Sequence, residues 1–576
     1  MTNAEVARVF NQVADLMEIK GEDSFRVSSY RRVARSIDDL PGELSDIAAR
    51  GELAELPGVG KASAAKIQEL LATGKLRLRE ELAAEVPESL LGLLSIQGMG
   101  PKKAAMLWRE RGITDVQQLS DAIAEGKLAG LRGLGDKSIE HIRQGIEFLQ
   151  RSAGRTRIGV AWPIADLIAR SIAGIDGVRR VEHAGSLRRG CETVGDLDIL
   201  CVADNGPAVI GKFTSTSIVA KVLVSGDTKG SVLVNVGDNR QIQIDLRVVP
   251  EQSFGAAWQY FTGSKEHNVR LREMAVKRGW SLNEYALTEG ERIIASRGEE
   301  DIYAALGLPW IPPELREDRG EFELKQTPAD LIALDDIRGD LHMHTVASDG
   351  HHSIEEMAAA AQKRGYKFIC ITDHSQSSVI ANGLKPDRLR QHVAAIRRVA
   401  KSLKGFTLWA GAEVDVLSDG RLDYPDELLA ELDWVVASVH IASHDSESNT
   451  RRTLAAIENP YVNVIAHPTG RMIGKRDAMP IDIDAIARKA AATGTALEIN
   501  ASAYRLDLKD QHARLARSLG VTICIDTDAH AIEQLDQMQF GVVTARRAGL
   551  RRDDVLNTRS AKEIEKFVKA KPKRAK

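Results

Sequence analysis

Nine histidine and carboxylate side chains occur where apolar stretches end in the last third of the chain. They are His342, His344, Asp349, His374, Glu413, His440, His467, Asp528 and His530. From about residue 336, strand patterns alternate with helix patterns, which predicts a βα barrel whose ligands collect at the carboxyl ends of parallel strands. One histidine at a strand end is typical of a buried core residue, but nine ligands on one rim indicate a multinuclear metal site. Imidazole and carboxylate without cysteine suit Zn²⁺, Mn²⁺ or Fe²⁺ acting on water.

A second candidate metal site lies in the middle of the chain. Asp196 and Asp198 are two residues apart in an apolar strand pattern, so their side chains share one face. Asp245 lies in another strand pattern, QIQIDLRVV. If the two strands are neighbours, three carboxylates converge, and such a cluster suits two Mg²⁺ (or Mn²⁺) ions. Groups suited to phosphate oxygens precede the pair, namely Gly185, Ser186, Arg188 and Arg189.

Three segments near the N-terminus repeat one pattern, Gly-x-Gly in an apolar setting followed by an amphipathic helix. Their glycines are Gly58 and Gly60, Gly98 and Gly100, and Gly133 and Gly135. Paired glycines let the backbone approach a ligand closely, and the helix that follows presents free N–H groups to an anion. One copy fits a glycine-capped helical corner equally well. Three copies favour binding of the DNA backbone, and the segments resemble helix-hairpin-helix motifs.

The composition is that of ordinary globular protein. The 576 residues suffice for several domains, and the net charge is −3. No apolar run is long enough to cross a membrane, and the first residues do not form a secretory signal. The four scattered cysteines indicate a reduced, intracellular protein. The basic tail KAKPKRAK is interpreted equally well as a solvated tail or as a nucleic-acid contact.

The segment AGSLRRGCETVGDLDIL, with YFTGSKEHNVRLREMA and LNEYAL downstream, resembles the palm and thumb of family X DNA polymerases, which include DNA polymerase beta. The resemblance implies that Asp196, Asp198 and Asp245 catalyse nucleotidyl transfer. It also implies a set of nucleotide contacts: Gly185, Ser186, Arg189, Gly195, Tyr260, Phe261, Gly263, Asn268 and Arg272. In this set Tyr260 and Phe261 would discourage a ribose, although core packing alone also explains such a pair.

The first repeat carries a further candidate site. Lys66 matches the family lysine that forms a Schiff base with an abasic sugar, and Tyr30 matches a residue beside it. Ala62 stands where the family has a supporting lysine, so lyase activity and an ordinary helix-surface lysine both remain open. At position 265 the chain has a lysine, whereas the animal members of the family tend to have an acid.

The last third resembles the polymerase-and-histidinol-phosphatase (PHP) domain, a distorted seven-stranded βα barrel with a trinuclear site. The resemblance groups the ligands into three sets: His342, His344, Glu413 and Asp528; Glu413, His440 and His467; Asp349, His374 and His530. Such sites hydrolyse phosphate esters. Arg471, shortly after His467, is a candidate contact for a substrate phosphate or a surface arginine.

The resulting fold class is multidomain: an α-helical helix-hairpin-helix region, an α+β nucleotidyltransferase palm and thumb, and an α/β (βα)₇ distorted barrel. The predicted segments are a lyase-like domain 1–85, a fingers-like domain 86–155, a palm 156–250, a thumb 251–318, a linker 319–335, a PHP domain 336–565 and a basic tail 566–576.

The resemblance covers nearly the whole chain and implies a bacterial, cytoplasmic and nucleoid-associated DNA repair enzyme. We expect it to fill short gaps with deoxynucleoside triphosphates on gapped or primer-template DNA as a monomer. We expect a 3′–5′ exonuclease in the barrel, with abasic-site cleavage or 3′-end cleaning also implied. The alternatives are a PHP phosphoesterase tethered to DNA beside an inactive polymerase module, and a DNA-binding scaffold without catalysis.

Overall fold

The structure is a computed structural model, and the description covers most of the chain. The residues described are all except 2, 39–43, 57, 97–98, 129–130, 132–133, 136–137, 141, 144, 147–153, 238–239 and 572–576. The chain divides into a first compact unit, which comprises Met1–Ala153 and Gly474–Arg476, and a second, which comprises Gly154–Ile473 and Asp477–Lys576. Among the described helices, none is long and apolar enough to cross a membrane.

The first unit is helical throughout the described part of Met1–Ala153. Its helices are Asn3–Lys20, Ser24–Asp38, Leu44–Arg50, Lys61–Thr73, Arg77–Glu85, Leu90–Leu93, Pro101–Arg111 and Val116–Ala124, with a 3₁₀ turn at Leu53–Glu55. Apolar residues recur at helical spacing in the first helix, so Phe10, Val13 and Met17 fall on one face and are fully buried. The helical prediction for this region is confirmed.

The described residues of the three glycine repeats share one backbone hydrogen bond. In each, the residue before the second glycine donates its N–H to the carbonyl of the first apolar residue, at 3.0 to 3.1 Å: Val59 to Leu56, Met99 to Ile96 and Leu134 to Leu131. Gly60 and Gly100 then occupy the N-cap positions of the helices Lys61–Thr73 and Pro101–Arg111 without a side-chain cap. Both helices therefore begin without a capping side chain, as at helix N-termini that bind an anion.

The palm is a five-stranded sheet with helices on its flanks. Its strands are β2 (Val178–His183), β4 (Asp196–Ala203), β5 (Val219–Ser225), β6 (Lys229–Asn235) and β7 (Gln241–Val248), in the order β2-β4-β7-β6-β5. Two short strands, β1 (Thr156–Arg157) and β3 (Thr193–Val194), pair separately. The helices are Ile158–Ala173, Gly185–Arg188 and Gly206–Thr214. Only β4 and β7 run parallel, and they form the centre of the sheet.

The thumb follows with helices and a small antiparallel sheet. Its helices are Phe254–Thr262, Lys265–Val276 and Glu299–Ala305, and its strands are β8 (Ser281–Leu282), β9 (Leu287–Glu289) and β10 (Arg292–Ala295). The 3₁₀ turns are Glu251–Ser253, Pro313–Leu315 and Glu321–Glu323. A buried ion-pair cluster connects the palm with the thumb, because Glu299 accepts hydrogen bonds of 2.7 to 3.0 Å from both Arg188 and Arg316.

The barrel consists of seven parallel strands in sequence order. They are β11 (Gly339–Asp340), β12 (Phe368–Ile371), β13 (Thr407–Asp415), β14 (Trp434–Ser438), β15 (Val464–Ile465), β16 (Ala496–Asn500) and β17 (Ile523–Asp526). A parallel bridge between Met343 and Ala529, just beyond the first and last strands, nearly closes the barrel. The strands are buried on both faces, which is why they have continuous apolar sequences rather than alternating ones.

Helices surround the barrel and cover its outer face. They are Ile354–Lys363, Pro386–Ala400, Asp426–Leu429, Ser446–Glu458, Ile483–Thr493, Asp510–Ser518, Met538–Arg547 and Ala561–Ala570. The 3₁₀ turns are Leu334–Asp336, Val379–Ala381, Ile532–Gln537, Arg552–Asp554 and Leu556–Thr558. The predicted distorted (βα)₇ barrel is confirmed, and with it the multidomain fold class.

The palm packs directly on the barrel within the second unit. Their apolar residues form one core, in which Ile158 and Ala161 of the palm lie with Leu506 and Phe540 of the barrel. The segment predicted as a linker, 319–335, also packs closely, since Ile332 is fully buried in the barrel core.

Candidate active sites

The three palm carboxylates lie on the two central strands. β4 and β7 pair in parallel with Asp198 opposite Asp245, and Asp196 is two residues before Asp198 on the same face. The Lys229 ammonium lies 3.3 Å from Asp245, and the Gln243 amide donates to the same carboxylate at 2.8 Å. The structure therefore brings together the three aspartates that the sequence singled out.

The charge of this cluster is unfavourable without a cation. Burial raises the pKa of Asp198 to about 7, and the neighbouring charges of Asp196 and Asp245 add to the effect. At Asp245 burial acts in the same direction, but the contacts with Gln243 and Lys229 outweigh it and lower the pKa. Divalent cations would relieve this repulsion, so the residues present fit the predicted ions.

Gly185 is required by the position of Asp198. Its φ is +62°, and a Cβ atom built there would lie 2.5 Å from the Asp198 Oδ2 atom. Glycine therefore lets the backbone turn into the helix Gly185–Arg188 against the carboxylate. Ser186 follows in this turn and is half-buried, whereas Gly195 is exposed just before β4.

The two arginines of the segment are engaged with the thumb. The Arg188 guanidinium stacks over the Trp258 ring at 3.4 Å and forms the buried ion pair with Glu299. Arg189 pairs with Glu317 at 3.1 Å and donates to the Thr262 carbonyl at 2.5 Å. In this arrangement neither guanidinium points freely to a phosphate, and the triphosphate contact of Arg189 stays a prediction.

The remaining predicted nucleotide contacts gather at the start of the thumb. The rings of Tyr260 and Phe261 meet edge to face at 5.2 Å. The Asn268 amide donates to the Tyr260 carbonyl at 2.7 Å, which fixes the two helices against each other. Arg272 lies one turn later on an exposed face, and Gly263 has a φ of +66° between the helices.

The nine barrel residues form one connected cluster. The Glu413 carboxylate is buried, and its oxygens lie 2.8 to 3.6 Å from nitrogens of five histidines: His342, His344, His374, His440 and His467. Asp528 lies 3.0 Å from His344 and 3.6 Å from His342. Asp349 lies 3.4 Å from His530 and 3.5 Å from His374. The strand ends therefore bring all nine side chains to one rim.

Within this cluster, three groups of ligand atoms lie close enough to share an ion. They are His344, Asp349, His374 and His530; His342, His344 and Glu413; and His374, Glu413 and His440. The first two resemble two of the sets that the family resemblance implied. The third contains His374 where the implied set has His467, although the His467 Nε2 atom also lies 3.0 Å from Glu413.

The cluster contains buried polar atoms that fit metal ligands. Among the described residues, His342 Nε2, His344 Nδ1 and Glu413 Oε2 are buried without a hydrogen-bond partner. Burial opposes the charge of Glu413, yet the surrounding imidazoles hold its pKa well below the ordinary value. Unpaired buried nitrogens beside an ionised carboxylate are costly unless a cation binds them, so the donor set fits divalent metal ions.

The sequence prediction missed the residues that orient the ligands. Glu498 accepts from the His342 ring at 2.7 Å and from the His467 backbone N–H at 2.6 Å. Asp415 contacts the His440 ring at 2.6 Å. Such partners fix the tautomer and direction of a ligand ring. The available signal was an acid in the mostly apolar strand ALEIN, and a second acid two residues after Glu413 in TLWAGAEVD.

Other predicted residues are placed as follows. The Arg471 guanidinium donates to Glu192 of the palm and to the Leu506 carbonyl, both at 2.6 Å, so it joins palm and barrel. Lys66 contacts the Ala62 carbonyl at 3.4 Å, and the Tyr30 ring packs at 5.9 Å from Phe10. Two predicted DNA-binding glycines, Gly98 and Gly133, lie outside the described residues. Gly58 has a φ of +78°, and Gly135 accepts from the next helical turn.

A three-carboxylate palm with a thumb, joined to a ligand-lined βα barrel, defines a nucleotidyltransferase fused to a metal-dependent phosphoesterase. Family models match four segments: a helix-hairpin-helix domain at 1–76, a SAM-like helix-hairpin-helix tandem at 90–147, the DNA polymerase beta thumb at 257–317 and the PHP domain at 340–502.

One relative covers the whole chain, and others cover the barrel. The DNA polymerase/3′-5′ exonuclease PolX of Bacillus subtilis (strain 168) is 40% identical over 572 residues, 99% of this chain and 100% of that protein. A probable phosphatase of Thermoanaerobacter sp. (strain X514) is 32% identical over 247 residues, 41% of this chain and 96% of that protein. A probable phosphatase of Syntrophotalea carbinolica is 30% identical over 229 residues, 38% of this chain and 90% of that protein. The chain belongs to the PolX family, the family X DNA polymerases that carry a C-terminal PHP domain.

Proposed function

We propose that the chain extends primer 3′ ends with deoxynucleotides in the palm and removes nucleotides from 3′ ends in the barrel. The observation that supports both activities is the presence of two separate ligand sets. In the palm, Asp198 faces Asp245 across adjacent strands. In the barrel, Glu413 lies at the centre of a connected rim of histidines and acids. A scaffold protein would have no need for either set.

The palm carboxylates would hold two Mg²⁺ (or Mn²⁺) ions, and the barrel set would hold three ions of Mn²⁺, Zn²⁺ or Fe²⁺. When bound, such ions act as Lewis acids and neutralise the charge that develops on phosphate oxygens. The protein contributes fixed directions for the donor atoms. Gly185 leaves room for the Asp198 carboxylate, while Glu498 and Asp415 orient His342 and His440.

Substrate contacts on the polymerase side follow from the family. Tyr260 and Phe261 would lie beside the incoming sugar, with Asn268 at the base and Arg272 at the template. Ser186, Arg189 and Gly195 would contact the triphosphate, which requires Arg189 to exchange its Glu317 contact for phosphate oxygens. Gly60 and Gly100 would present uncapped helix N-termini to the DNA backbone.

A gapped-DNA assay tests the polymerase. Asp198→Ala is expected to abolish primer extension, whereas Asp176→Ala, which removes an exposed carboxylate of the palm, keeps it. Both variants are expected to retain degradation of a single strand, since their barrel is intact. Unchanged extension by Asp198→Ala would show that nucleotidyl transfer occurs elsewhere.

The exonuclease is tested on the same preparation without nucleotides. His342→Ala is expected to abolish shortening of a labelled strand from its 3′ end, and His444→Ala, which removes an exposed histidine outside the cluster, is expected to leave it intact. Extension by both variants serves as the folding control. Persistent shortening by His342→Ala would locate the nuclease outside the barrel.

A second candidate activity of the barrel is removal of phosphate from blocked 3′ ends. The barrel relatives named above are probable phosphatases, which favours a site that also accepts monoesters. A primer that ends in a 3′-phosphate is expected to become extendable on incubation with wild-type protein but not with His342→Ala. Cleavage at abasic sites is measured on the same gel, with Lys66→Ala separating a lyase from the barrel.

These activities fit short-gap filling in base excision repair. We propose a monomer associated with the bacterial nucleoid. We further propose that the chain is organised as lyase-like, fingers-like, palm, thumb, linker, PHP and tail segments in this order. The first residues of the predicted tail belong to the helix Ala561–Ala570, and the buried Lys571 donates to the Asn459 carbonyl at 2.9 Å. Deletion of 572–576 therefore tests a nucleic-acid contact, since losing such a contact is expected to make DNA binding weaker and less salt-dependent.

A further inference from the structure

The most exposed apolar side chains of the barrel lie next to the candidate ligands. Val379, Ile380 and Ile441 are 80, 90 and 83% exposed, and elsewhere in the described chain only Phe25, at 84%, reaches this level among large apolar residues. Val346 is 59% exposed. We refer to Val346, Val379, Ile380 and Ile441 as the apolar rim.

Each rim residue closely follows a ligand in the sequence. Ile441 comes directly after His440, and Val346 comes two residues after His344. Val379 and Ile380 lie in the 3₁₀ turn Val379–Ala381, which follows β12 and the ligand His374. Because the carboxyl ends of parallel strands meet at one face, the rim residues lie on loops at the mouth of the metal-ligand cluster.

Hydrogen bonds tie these loops to one another. The Asp415 carboxylate contacts the His440 ring at 2.6 Å and accepts from the Ser377 and Ser378 hydroxyls at 2.8 and 2.7 Å. This connects the loop of Val379 and Ile380 with the residue beside Ile441.

A second set of hydrogen bonds connects the loop that carries Val346. The Arg388 guanidinium donates to the Ala347 carbonyl at 2.7 Å and to the Asn382 carbonyl at 3.2 Å, which connects the loop of Val346 with the 3₁₀ turn. The apolar side chains are therefore exposed on loops with several fixed contacts, rather than on loose ends.

We propose that the apolar rim receives the unpaired bases at the 3′ end of a DNA strand while the terminal phosphodiester reaches the metal-ligand cluster. This inference rests on the proposed nuclease activity and assigns the contacts with the terminal bases to these four side chains. Aliphatic side chains cover the face of any base, so these contacts would be independent of sequence.

A nucleobase fits the rim better than other apolar partners do. The groups attached to the phosphate of a DNA strand are sugars and bases, and they must lie beside the cluster whenever the ester is within reach of its ligands. In a duplex the base faces are stacked and unavailable for contact, so aliphatic side chains can bind the bases only at an end that has opened. The core of a protein–protein interface is depleted of charged groups, whereas these side chains follow the histidine and carboxylate ligands closely in the sequence.

The test compares two five-nucleotide strands, one with ordinary bases and one whose last three nucleotides are tetrahydrofuran abasic sites. Wild-type protein is expected to remove the terminal nucleotide of the ordinary strand about tenfold faster, as partial burial of two or three aliphatic side chains predicts. The variant Val379→Ser/Ile380→Ser/Ile441→Ser is expected to lose this preference, with the abasic strand cut within about twofold of the wild-type rate. The matched control is Val276→Ser/Ile293→Ser/Leu334→Ser, which changes exposed side chains away from the barrel mouth.

Equal losses on both strands, or an unchanged preference, would overturn the role of the rim. Affinity for the same strands, measured by fluorescence anisotropy, needs no cleavage and is expected to show the same difference between the strands. If wild-type protein cuts neither strand, the proposed nuclease activity is wrong, and only the anisotropy measurement tests the rim. In that case, a rim variant that binds both strands as tightly as the wild type does would refute the role of the rim.

Discussion

Replacing Gly185 by alanine adds one methyl group beside Asp198 and so tests whether the polymerase site depends on the position of this carboxylate. The residue has a φ of +62°, and its new Cβ would lie 2.5 Å from the Asp198 Oδ2 atom. Ordinary van der Waals contact begins at 3.4 Å, so the carboxylate must retreat by 3.4 − 2.5, or about 0.9 Å, unless the backbone moves instead. The left-handed conformation adds about 1 kcal/mol of strain for alanine.

A displacement of about 1 Å at a catalytic group costs on the order of 100-fold in rate. We therefore expect Gly185→Ala to lower primer extension by about 100-fold and to shift the Mg²⁺ dependence to higher concentration. The barrel lies in a different part of the second unit, so shortening of a single strand is expected to continue at the wild-type rate. Both rates are measured on gapped DNA with one enzyme preparation.

Gly211→Ala is the matched control, because it adds the same methyl group to the palm. Gly211 lies within the helix Gly206–Thr214, and a Cβ there meets nothing within 4 Å. This change is expected to keep full extension and to raise stability by about 0.5 kcal/mol. If Gly185→Ala extends primers as fast as Gly211→Ala does, the position of Asp198 does not depend on the glycine and the reasoning is wrong.

Two further substitutions test the charged contacts. Glu299→Gln leaves the buried guanidinium groups of Arg188 and Arg316 without their anion and is expected to lower the free energy of unfolding by about 3 kcal/mol in urea at neutral pH. Burial opposes the charge of Glu299, but the two arginines lower its pKa far below the ordinary value of 4.5. The stabilisation by the Glu299 carboxylate is therefore complete above pH 4.5 and is lost as the pH falls through the lowered pKa. If Glu299→Gln lowered the free energy of unfolding equally at pH 7 and in strong acid, this account would be contradicted. Glu498→Gln is expected to weaken metal binding about 10- to 100-fold, because glutamine has no charge and only one acceptor oxygen for the His342 ring and the His467 N–H. Calorimetry with Mn²⁺ or Zn²⁺ measures the change. Unaltered affinity would show that Glu498 serves only to pack the barrel.

The two ligand sets were predictable from sequence because strand geometry is regular. Alternation places Asp196 and Asp198 on one face, and parallel strands end on one side of a barrel, so His374 and His440 follow from their positions after apolar runs. Such patterns require only the local structure and the direction of each strand. The grouping of ligands around individual ions is not local, which is why the third group contains His374 rather than His467.

The contacts of the arginines were not predictable in the same way. Arg188 and Arg189 precede the carboxylates in a segment whose residues suit phosphate binding. Their partners, Glu299 and Glu317, lie more than a hundred residues downstream. Arg471 similarly contacts Glu192 across 279 residues. A long, flexible cation has several acceptors within reach, and only the tertiary arrangement decides which one it contacts.

The junction between palm and barrel constrains how a DNA end can pass between the two sites. Ile158 and Ala161 share a core with Leu506 and Phe540, and the buried Arg547 donates to the Arg189 carbonyl at 2.7 Å. Hinge motion at this junction would expose apolar surface and separate a buried guanidinium from its acceptor, and each of these costs free energy. The two sites are therefore held at a fixed separation within the second unit. A 3′ end that passes directly from the palm to the barrel would therefore have to separate from its template, which gives the unpaired form of DNA that we propose for the apolar rim.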